Sequence, residues 1–138
     1  MKKKSLIILM ICIFLLSGSQ VYASDYEIAP CFNVVSAANT VISSENDGID
    51  LDVFVTIADS SMLDRVYITV KVKKTSTGAT VKTYAQNMED QGSVFRFSET
   101  YEATSSGTYL FEYTAKCYKN NVLVDTVTGN SASVYHTV

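Results

Sequence analysis

Hydrophobic and polar residues alternate over long parts of the chain, which is the pattern of β-strands with one buried face. In segment 49–57 the odd positions are Ile, Leu or Val, and the even positions include Asp50 and Asp52. Segment 66–73 repeats the pattern, with Val or Ile at even positions and Tyr67, Thr or Lys between them. Because successive side chains of a strand point to opposite faces, each segment predicts a strand that packs one face against a core.

Turn residues separate these two segments from further predicted strands. Clusters of Gly, Asn, Ser and Thr at 75–78, 105–107 and 119–121 interrupt the alternation and favour turns. No hydrophobic repeat of about 3.6 residues persists over a dozen positions, so no long helix is predicted. The predicted strands cover residues 41–44, 49–57, 66–73, 80–86, 94–101, 108–118, 122–127 and 131–138. Seven or eight antiparallel strands at this spacing predict an all-β sandwich.

The first 23 residues have the three parts of a secretory signal peptide. Lysines at 2–4 precede an apolar run at 6–16, and the small residue Ala23 ends the leader. The run is too short to span a bilayer, which takes about 20 residues. We therefore expect residues 1–23 to be a signal peptide cleaved after Ala23, and residues 24–138 to be a single secreted, extracellular domain.

Removal of this leader makes the protein clearly acidic. The full chain of 138 residues carries a net charge of −3, with 11 Lys and Arg against 14 Asp and Glu. Three lysines leave with the leader and no acidic residue does, so the remaining 115 residues carry a charge of −6. Nucleic-acid binders need basic surface to displace counterions from phosphate, and anionic membranes attract basic segments. We therefore expect neither nucleic acid nor membrane as a partner of the secreted domain.

Cysteine usage fits an exported protein. Cys12 lies in the apolar run and leaves with the leader, so Cys31 and Cys117 remain. Two cysteines in an oxidising compartment predict one disulfide between them. Two separate buried thiols are the alternative.

Residues 107–109, with the sequence Gly-Thr-Tyr, open the most aromatic predicted strand. They resemble the tyrosine corner of immunoglobulin-like domains, in which a tyrosine hydroxyl ties a strand to the preceding connection. Gly107 and Tyr109 are therefore predicted structural residues. Antibody domains place a cysteine two positions after this tyrosine and a tryptophan in the core, whereas this chain has Phe111 and no Trp. The resemblance implies an immunoglobulin-like sandwich in general rather than an antibody-type domain.

Several short motifs extend this resemblance over the whole secreted part of the chain. They are Ala38-Asn39-Thr40, Val70-Lys71-Val72-Lys73-Lys74, Gly107-Thr108-Tyr109, Tyr118-Lys119-Asn120-Asn121, Val124-Asp125-Thr126 and Ser131. With these motifs the chain resembles uncharacterised small secreted proteins of Gram-positive bacteria, in which a signal peptide precedes one immunoglobulin-like sandwich, a domain of unknown function. The resemblance implies secretion and fold but no activity, and it assigns no functional residue.

Candidate catalytic groups are few. The single histidine, His136, lies third from the C-terminus, and chain ends fray. The chain has no Gly-x-Ser-x-Gly elbow, and one His with two distant Cys does not supply a zinc site. We interpret His136 as a solvated terminal residue rather than a catalytic base, and we expect a non-catalytic protein without a cofactor.

An acidic cluster is the remaining candidate for a metal site. Its four carboxylates belong to Glu45, Asp47, Asp50 and Asp52. Oxygen ligands on a turn suit calcium, but the spacing differs from that of a helix–loop–helix calcium loop. A hairpin of the two long alternating segments pairs Asp52 with Lys71 and Asp50 with Lys73, whereas an immunoglobulin-like order places these strands in different sheets. A paired or solvated surface is the favoured interpretation, and calcium is the alternative.

Aromatic residues outside the predicted core are candidates for binding. Four fall on the outward phase or in ambiguous strands, namely Phe54, Tyr67, Tyr84 and Tyr118. An exposed apolar patch on a secreted protein indicates an interaction site, although neighbouring strands could instead cover these residues. We expect a secreted, non-catalytic immunoglobulin-like module that binds an extracellular protein or glycan. The alternatives are a calcium-dependent adhesion module and a secreted inhibitor or enzyme with an unrecognised site.

Overall fold

Two antiparallel β-sheets make up the fold in the computed structural model, which describes residues 34–138. Sheet I has the strand order β1-β2-β6-β5, and sheet II has the order β4-β3-β7-β8, with β9 also paired to β7. The elements are β1 (Val35–Glu45), β2 (Gly48–Ile57), a 3-10 turn (Ser60–Met62), β3 (Arg65–Lys74), β4 (Thr80–Asn87), β5 (Glu89–Asp90), β6 (Val94–Tyr101), β7 (Gly107–Lys119), β8 (Val122–Asn130) and β9 (Val134–His136). The predicted all-β sandwich is confirmed. The predicted signal peptide at 1–23 lies outside the described residues.

The core lies between the inward faces of the two sheets. Every second residue of β2 and β3 is buried, as the alternation predicts. The aromatic rings of β6 and β7 fill the space between these two rows. The largest fully buried side chains are Tyr109, Phe95, Phe97, Phe111, Ile49, Leu51, Ile68, Val53, Val55, Val66, Val70 and Val72. Each such side chain contributes roughly 1.5–3 kcal/mol by leaving water, so this layer is the main source of stability.

Strands β2 and β3 belong to different sheets, and the hairpin considered from the sequence is therefore wrong. The connection at 58–64, with its 3-10 turn, carries the chain from sheet I to sheet II. Instead of facing lysines of β3, Asp52 forms an ion pair with Arg96 of β6 at 2.9 Å. Asp50 accepts a hydrogen bond from the Thr100 hydroxyl of the same strand at 2.7 Å.

Strand β1 begins at Val35, six residues earlier than the sequence predicts. It is the edge strand of sheet I and pairs with β2 along its whole length. Many of its side chains are exposed and small or polar, so the alternation is weak there. The ladder to β2 supplies the backbone hydrogen bonds that the sequence pattern does not reveal.

Polar contacts tie β1 to sheet II along one side of the sandwich. The Ser44 hydroxyl and the Nδ1 atom of His136 are 2.9 Å apart. At the other end of β1, the Asp125 carboxylate accepts a hydrogen bond from the Val34 amide at 3.3 Å. The interpretation of His136 as a solvated residue is wrong. This residue is 5% exposed, belongs to β9 and pairs with Gly107 of β7.

Strand β4 closes the opposite side of the sandwich through side chains that reach β6. The Tyr84 hydroxyl donates to the carbonyl of Thr100 at 3.1 Å. The Gln86 amide donates to the Glu99 carboxylate at the same distance. Both sheets therefore have edges that are held to the neighbouring sheet by specific hydrogen bonds.

Tyr109 anchors the start of β7 to the connection that precedes it. Its hydroxyl donates to the carbonyl of Ser105 at 2.6 Å, and its ring is 1% exposed. The Lys74 ammonium donates to the Ser105 hydroxyl at 2.8 Å and lies over the Tyr109 ring. A Cβ atom at Gly107 would lie 2.6 Å from the Lys74 side chain, so the absence of a side chain there lets Lys74 approach.

We expect Tyr109→Phe to lower the free energy of unfolding by about 1 kcal/mol, because the Ser105 carbonyl loses a hydrogen bond while the ring still packs. Denaturant unfolding measures the change. Tyr135→Phe is the matched control, since Tyr135 is 63% exposed, and it should leave the midpoint unchanged. Equal midpoints for both variants would contradict the anchoring role of Tyr109.

Candidate binding face

The outward side chains of sheet II carry a concentration of positive charge. Arg65, Lys71 and Lys73 alternate with core residues on β3, and Lys116 projects from the same face of β7. Among the described strands β3, β4, β7 and β8, the acidic residue on this outward face is Glu112, which lies opposite Lys71. Four cations against one carboxylate give the face a net charge of +3.

The outward face of sheet I has the opposite sign. Glu45, Asp50, Asp52 and Glu89 lie on it with Arg96, which faces Phe54 of β2 and Glu89 of β5. Four carboxylates against one cation give this face a net charge of −3. The two faces of an acidic domain therefore differ in sign, and such a charge distribution steers partners of opposite charge to one side.

Aromatic rings interleave with the cations of sheet II. Tyr67 lies opposite Lys116, and Arg65 lies opposite Tyr118 across the β3–β7 ladder. The Arg65 guanidinium lies 4.4 Å from the centroid of the Tyr118 ring, a cation–π contact that contributes about 0.5–1 kcal/mol at an exposed site. We call Arg65, Tyr67, Lys71, Lys116 and Tyr118 the basic face.

Three cations of the basic face have no acidic partner within residues 34–138. The described ion pairs join Lys73 to Glu112, Arg96 to Asp52 and Lys119 to Asp64. Arg65, Lys71 and Lys116 take part in none of them. Within the described part of the chain, their charges are therefore not neutralised by an ion pair.

A groove of about 380 Å³ borders the basic face over β7 and β8. Gly129 lies opposite Tyr113, whose ring packs against it where a Cβ atom would lie only 2.8 Å away, and β8 ends at Asn130. The lining combines polar and apolar groups and consists of Leu110, Glu112, Tyr113, Thr114, Thr128, Gly129 and Asn130. Its volume is at the lower end of the range for ligand sites, about 300–1,000 Å³.

Leu123 adds exposed apolar area to β8, one of the two strands that line the groove. It lies opposite Tyr118 next to a β-bulge and is 49% exposed. Neither Leu123 nor the groove is predicted from the sequence. A bulge shifts the phase of β8 relative to β7, and simple alternation does not reveal such a shift.

The four aromatics proposed as one binding patch are not brought together. Tyr67 and Tyr118 share the outer face of sheet II. Phe54 lies on the outer face of sheet I, where the Arg96 guanidinium is 5.6 Å from its ring centroid. The alternation predicts which side of its strand each residue faces, but it does not show that β2 and β3 belong to different sheets.

Tyr84 points toward the interior rather than outward. It lies opposite Val70, a core residue of β3, and its ring packs edge-on against Phe97 with centroids 6.0 Å apart. Burial, with the nearby Glu99 carboxylate as a second cause, raises the pKa of the Tyr84 hydroxyl. Its role is therefore to close the side of the sandwich.

The four carboxylates considered for calcium are spread along β1 and β2. Glu45 ends β1, Asp47 lies in the exposed turn, and Asp50 and Asp52 interact with Thr100 and Arg96 of β6 as described above. Within residues 34–138 no three His, Cys, Asp or Glu side chains are grouped as ligands for a metal ion.

The Ser44–His136 contact is the arrangement closest to a nucleophile and base. The described hydrogen bonds of His136 do not include a carboxylate that would orient its ring. His136 belongs to β9, and its contact with Ser44 of β1 joins an edge of one sheet to an edge of the other.

Cys117 is a fully buried thiol near the end of β7. Burial raises its pKa to about 11, with the nearby Asp125 carboxylate as the second cause. Asp125 lies opposite Cys117 on β8 and also accepts the hydrogen bond from Val34. The predicted partner Cys31 lies outside the described residues, and the disulfide stays a prediction.

Comparisons with known proteins assign no family to this chain. No family model matches it, and no curated protein matches it. None of the described elements is a helix long and apolar enough to cross a membrane. Function has to be inferred from the basic face, the groove and the fold.

We expect thiol titration of the unfolded, unreduced exported protein to find no free sulfhydryl, because Cys31 and Cys117 are predicted to be bridged. Two reactive sulfhydryls per chain would mean two separate thiols. In a Cys31→Ser variant the Cys117 thiol is free. The pKa of this thiol is near the ordinary value of 9.0 in the unfolded chain and about 11 in the folded one. As the pH rises, the thiol therefore ionises first in the unfolded chain.

The free energy of unfolding of Cys31→Ser should therefore fall by roughly 2 kcal/mol between these two pH values. The contribution of the Cys117 thiol to the free energy of unfolding is complete below its pKa in the unfolded chain. It is lost as the pH rises through its pKa in the folded chain. The double variant Cys31→Ser/Cys117→Ala is the control, since it lacks the thiol. An identical pH dependence of the two proteins would contradict the burial of an ionisable thiol.

Proposed function

We propose that this chain is a secreted, non-catalytic immunoglobulin-like module that binds an extracellular protein or glycan through its basic face. The observation that carries the proposal is the positive charge of Arg65, Lys71 and Lys116, which form no ion pair among residues 34–138 and lie beside the half-buried Tyr67 and Tyr118. This charge lies on a domain whose overall charge is negative.

The immunoglobulin-like part of the proposal is supported by strand order. When the strands are lettered in chain order, the spatial order of sheet I corresponds to strands A, B, E and D of such domains. The spatial order of sheet II corresponds to C′, C, F and G. Tyr109 lies near the start of the strand that corresponds to F and binds the connection before it, as a tyrosine corner does. Cys117 comes late in this strand, and the chain has no Trp, so the antibody-type core is not part of the proposal.

Secretion is supported by the basic and apolar leader at 1–23. It agrees with the resemblance to small secreted proteins of Gram-positive bacteria. Membership of that family is part of the proposal and brings no activity with it.

Binding is supported by the residue types on the outer face of sheet II. Tyrosine and arginine are the side chains most enriched among residues that dominate binding energy. Tyr118 and Arg65 stack on each other beside the exposed Leu123. A tyrosine with its ring held in place loses little conformational entropy when a partner covers it.

The exported protein should begin at Ser24. Mass spectrometry of the chain recovered outside the cell tests this expectation, because the signal peptidase site follows Ala23. Retention of residues 1–23 in the exported protein would contradict the cleavage, and retention of the chain inside the cell would contradict secretion.

Substitution of the basic face should weaken attachment of the exported protein to extracellular material of its producing cells. We expect Lys116→Glu and Tyr118→Ala each to reduce binding about tenfold, since loss of a central contact costs more than about 1 kcal/mol. Biosensor titration against separated surface-protein and surface-polysaccharide fractions measures the change.

Lys82→Glu is the matched control for these variants. It makes the same charge change as Lys116→Glu on an exposed lysine of β4 that lies outside the basic face. Circular dichroism should show that all variants are folded. Equal binding by wild type and both face variants would contradict the proposal.

A further inference from the structure

We propose that the ligand of the basic face is an anionic polysaccharide whose sugars carry carboxylates. This inference rests on the proposed function, because it names the chemistry of the partner that the same face binds. It depends on three features of sheet II, namely the spacing of its cations, its tyrosines and the adjoining groove.

The three cations that form no ion pair among residues 34–138 follow a line along the sheet. Arg65 and Lys71 are six residues apart on β3, a separation of about 20 Å in an extended strand. Lys116 lies between them on the neighbouring strand, opposite Tyr67. A linear polyanion can contact all three cations at once, whereas a single small anion cannot span the distance from Arg65 to Lys71.

The tyrosines and the groove favour sugars over an acidic polypeptide. The residues Tyr67 and Tyr118 are half-buried next to the cations, and the Arg65 guanidinium lies over the Tyr118 ring. The groove offers hydroxyl, amide and carboxylate groups of Thr114, Thr128, Asn130 and Glu112. Sugar rings combine apolar faces with many hydroxyls and need both kinds of surface, while the cations balance the carboxylates of the sugar chain.

Glu112 limits the affinity of the face for such a ligand. Its carboxylate holds the Lys73 ammonium at 2.7 Å, and it also lines the groove. Removal of its charge frees Lys73 and takes away a repulsive group, while a glutamine amide can still bond to hydroxyls. Glu112→Gln should therefore bind an anionic sugar chain more tightly than the wild type does.

The test uses the exported protein and three polymers of defined chemistry. Alginate supplies a carboxylate-bearing sugar chain, dextran a neutral one, and poly-L-glutamate the same charge on a polypeptide. Calorimetric titrations at low and physiological salt measure binding. We expect alginate to bind most tightly, with an affinity that falls as salt rises, and dextran to bind at least tenfold more weakly.

Charge-neutralising variants test whether the predicted residues are responsible. We expect Lys71→Gln and Lys116→Gln each to weaken alginate binding roughly threefold to fivefold, as for a surface charge contact. Glu112→Gln should strengthen binding by a similar factor, and Lys82→Gln should leave it unchanged. A purely structural role of these residues would not produce opposite effects for the lysines and the glutamate.

Equal or tighter binding of poly-L-glutamate, or equal binding of dextran, would overturn the anionic-glycan assignment. So would an alginate affinity that Lys71→Gln and Lys116→Gln leave unchanged. If alginate fails while Lys116→Glu still abolishes attachment to the extracellular fractions, only the ligand class is wrong. If the face variants change neither alginate binding nor attachment, the proposed function is wrong as well.

Discussion

The burial of one side of β3 against the opposite sheet is the constraint on which the rest of the structure depends. Val66, Ile68, Val70 and Val72 are each 0% exposed. Because side chains alternate along a strand, this burial forces Arg65, Tyr67, Lys71 and Lys73 to the outside. A shift of one residue would bring these lysines into the core, where an unpaired charge costs several kcal/mol. The basic face is thus fixed by the core.

Much of this arrangement can be predicted from the sequence, because strict alternation is a local signal. Segments 49–57 and 66–73 are both strands in the structure, and their buried residues are the expected ones. Sheet membership is not local. Strand β3 pairs with β7, whose paired residues lie 35 to 53 positions later, and nothing in the alternation itself identifies that partner. The separation of Phe54 from Tyr67 follows from this pairing.

The interactions at the edges of the sheets were the hardest to predict. His136 lies near the end of the chain, yet it is buried because β9 continues the pairing that β8 makes with β7. Ser131 bridges the interruption between them, with its hydroxyl accepting a hydrogen bond from the Phe111 amide at 2.9 Å. Such contacts depend on where two distant segments meet. They close the sides of the sandwich and hold the central strands that carry the basic face.

Cross-strand nuclear Overhauser effects between β3 and β7 test the central claim most directly, since the pairing of these strands assembles the basic face. We predict contacts between Tyr67 and Lys116 and between Arg65 and Tyr118, in the register that the structure shows. Contacts of Ile57 with Val66 and of Asp52 with Lys71 would instead show that β2 and β3 form a hairpin. That result would contradict both the assignment of the strands to two sheets and the face derived from it.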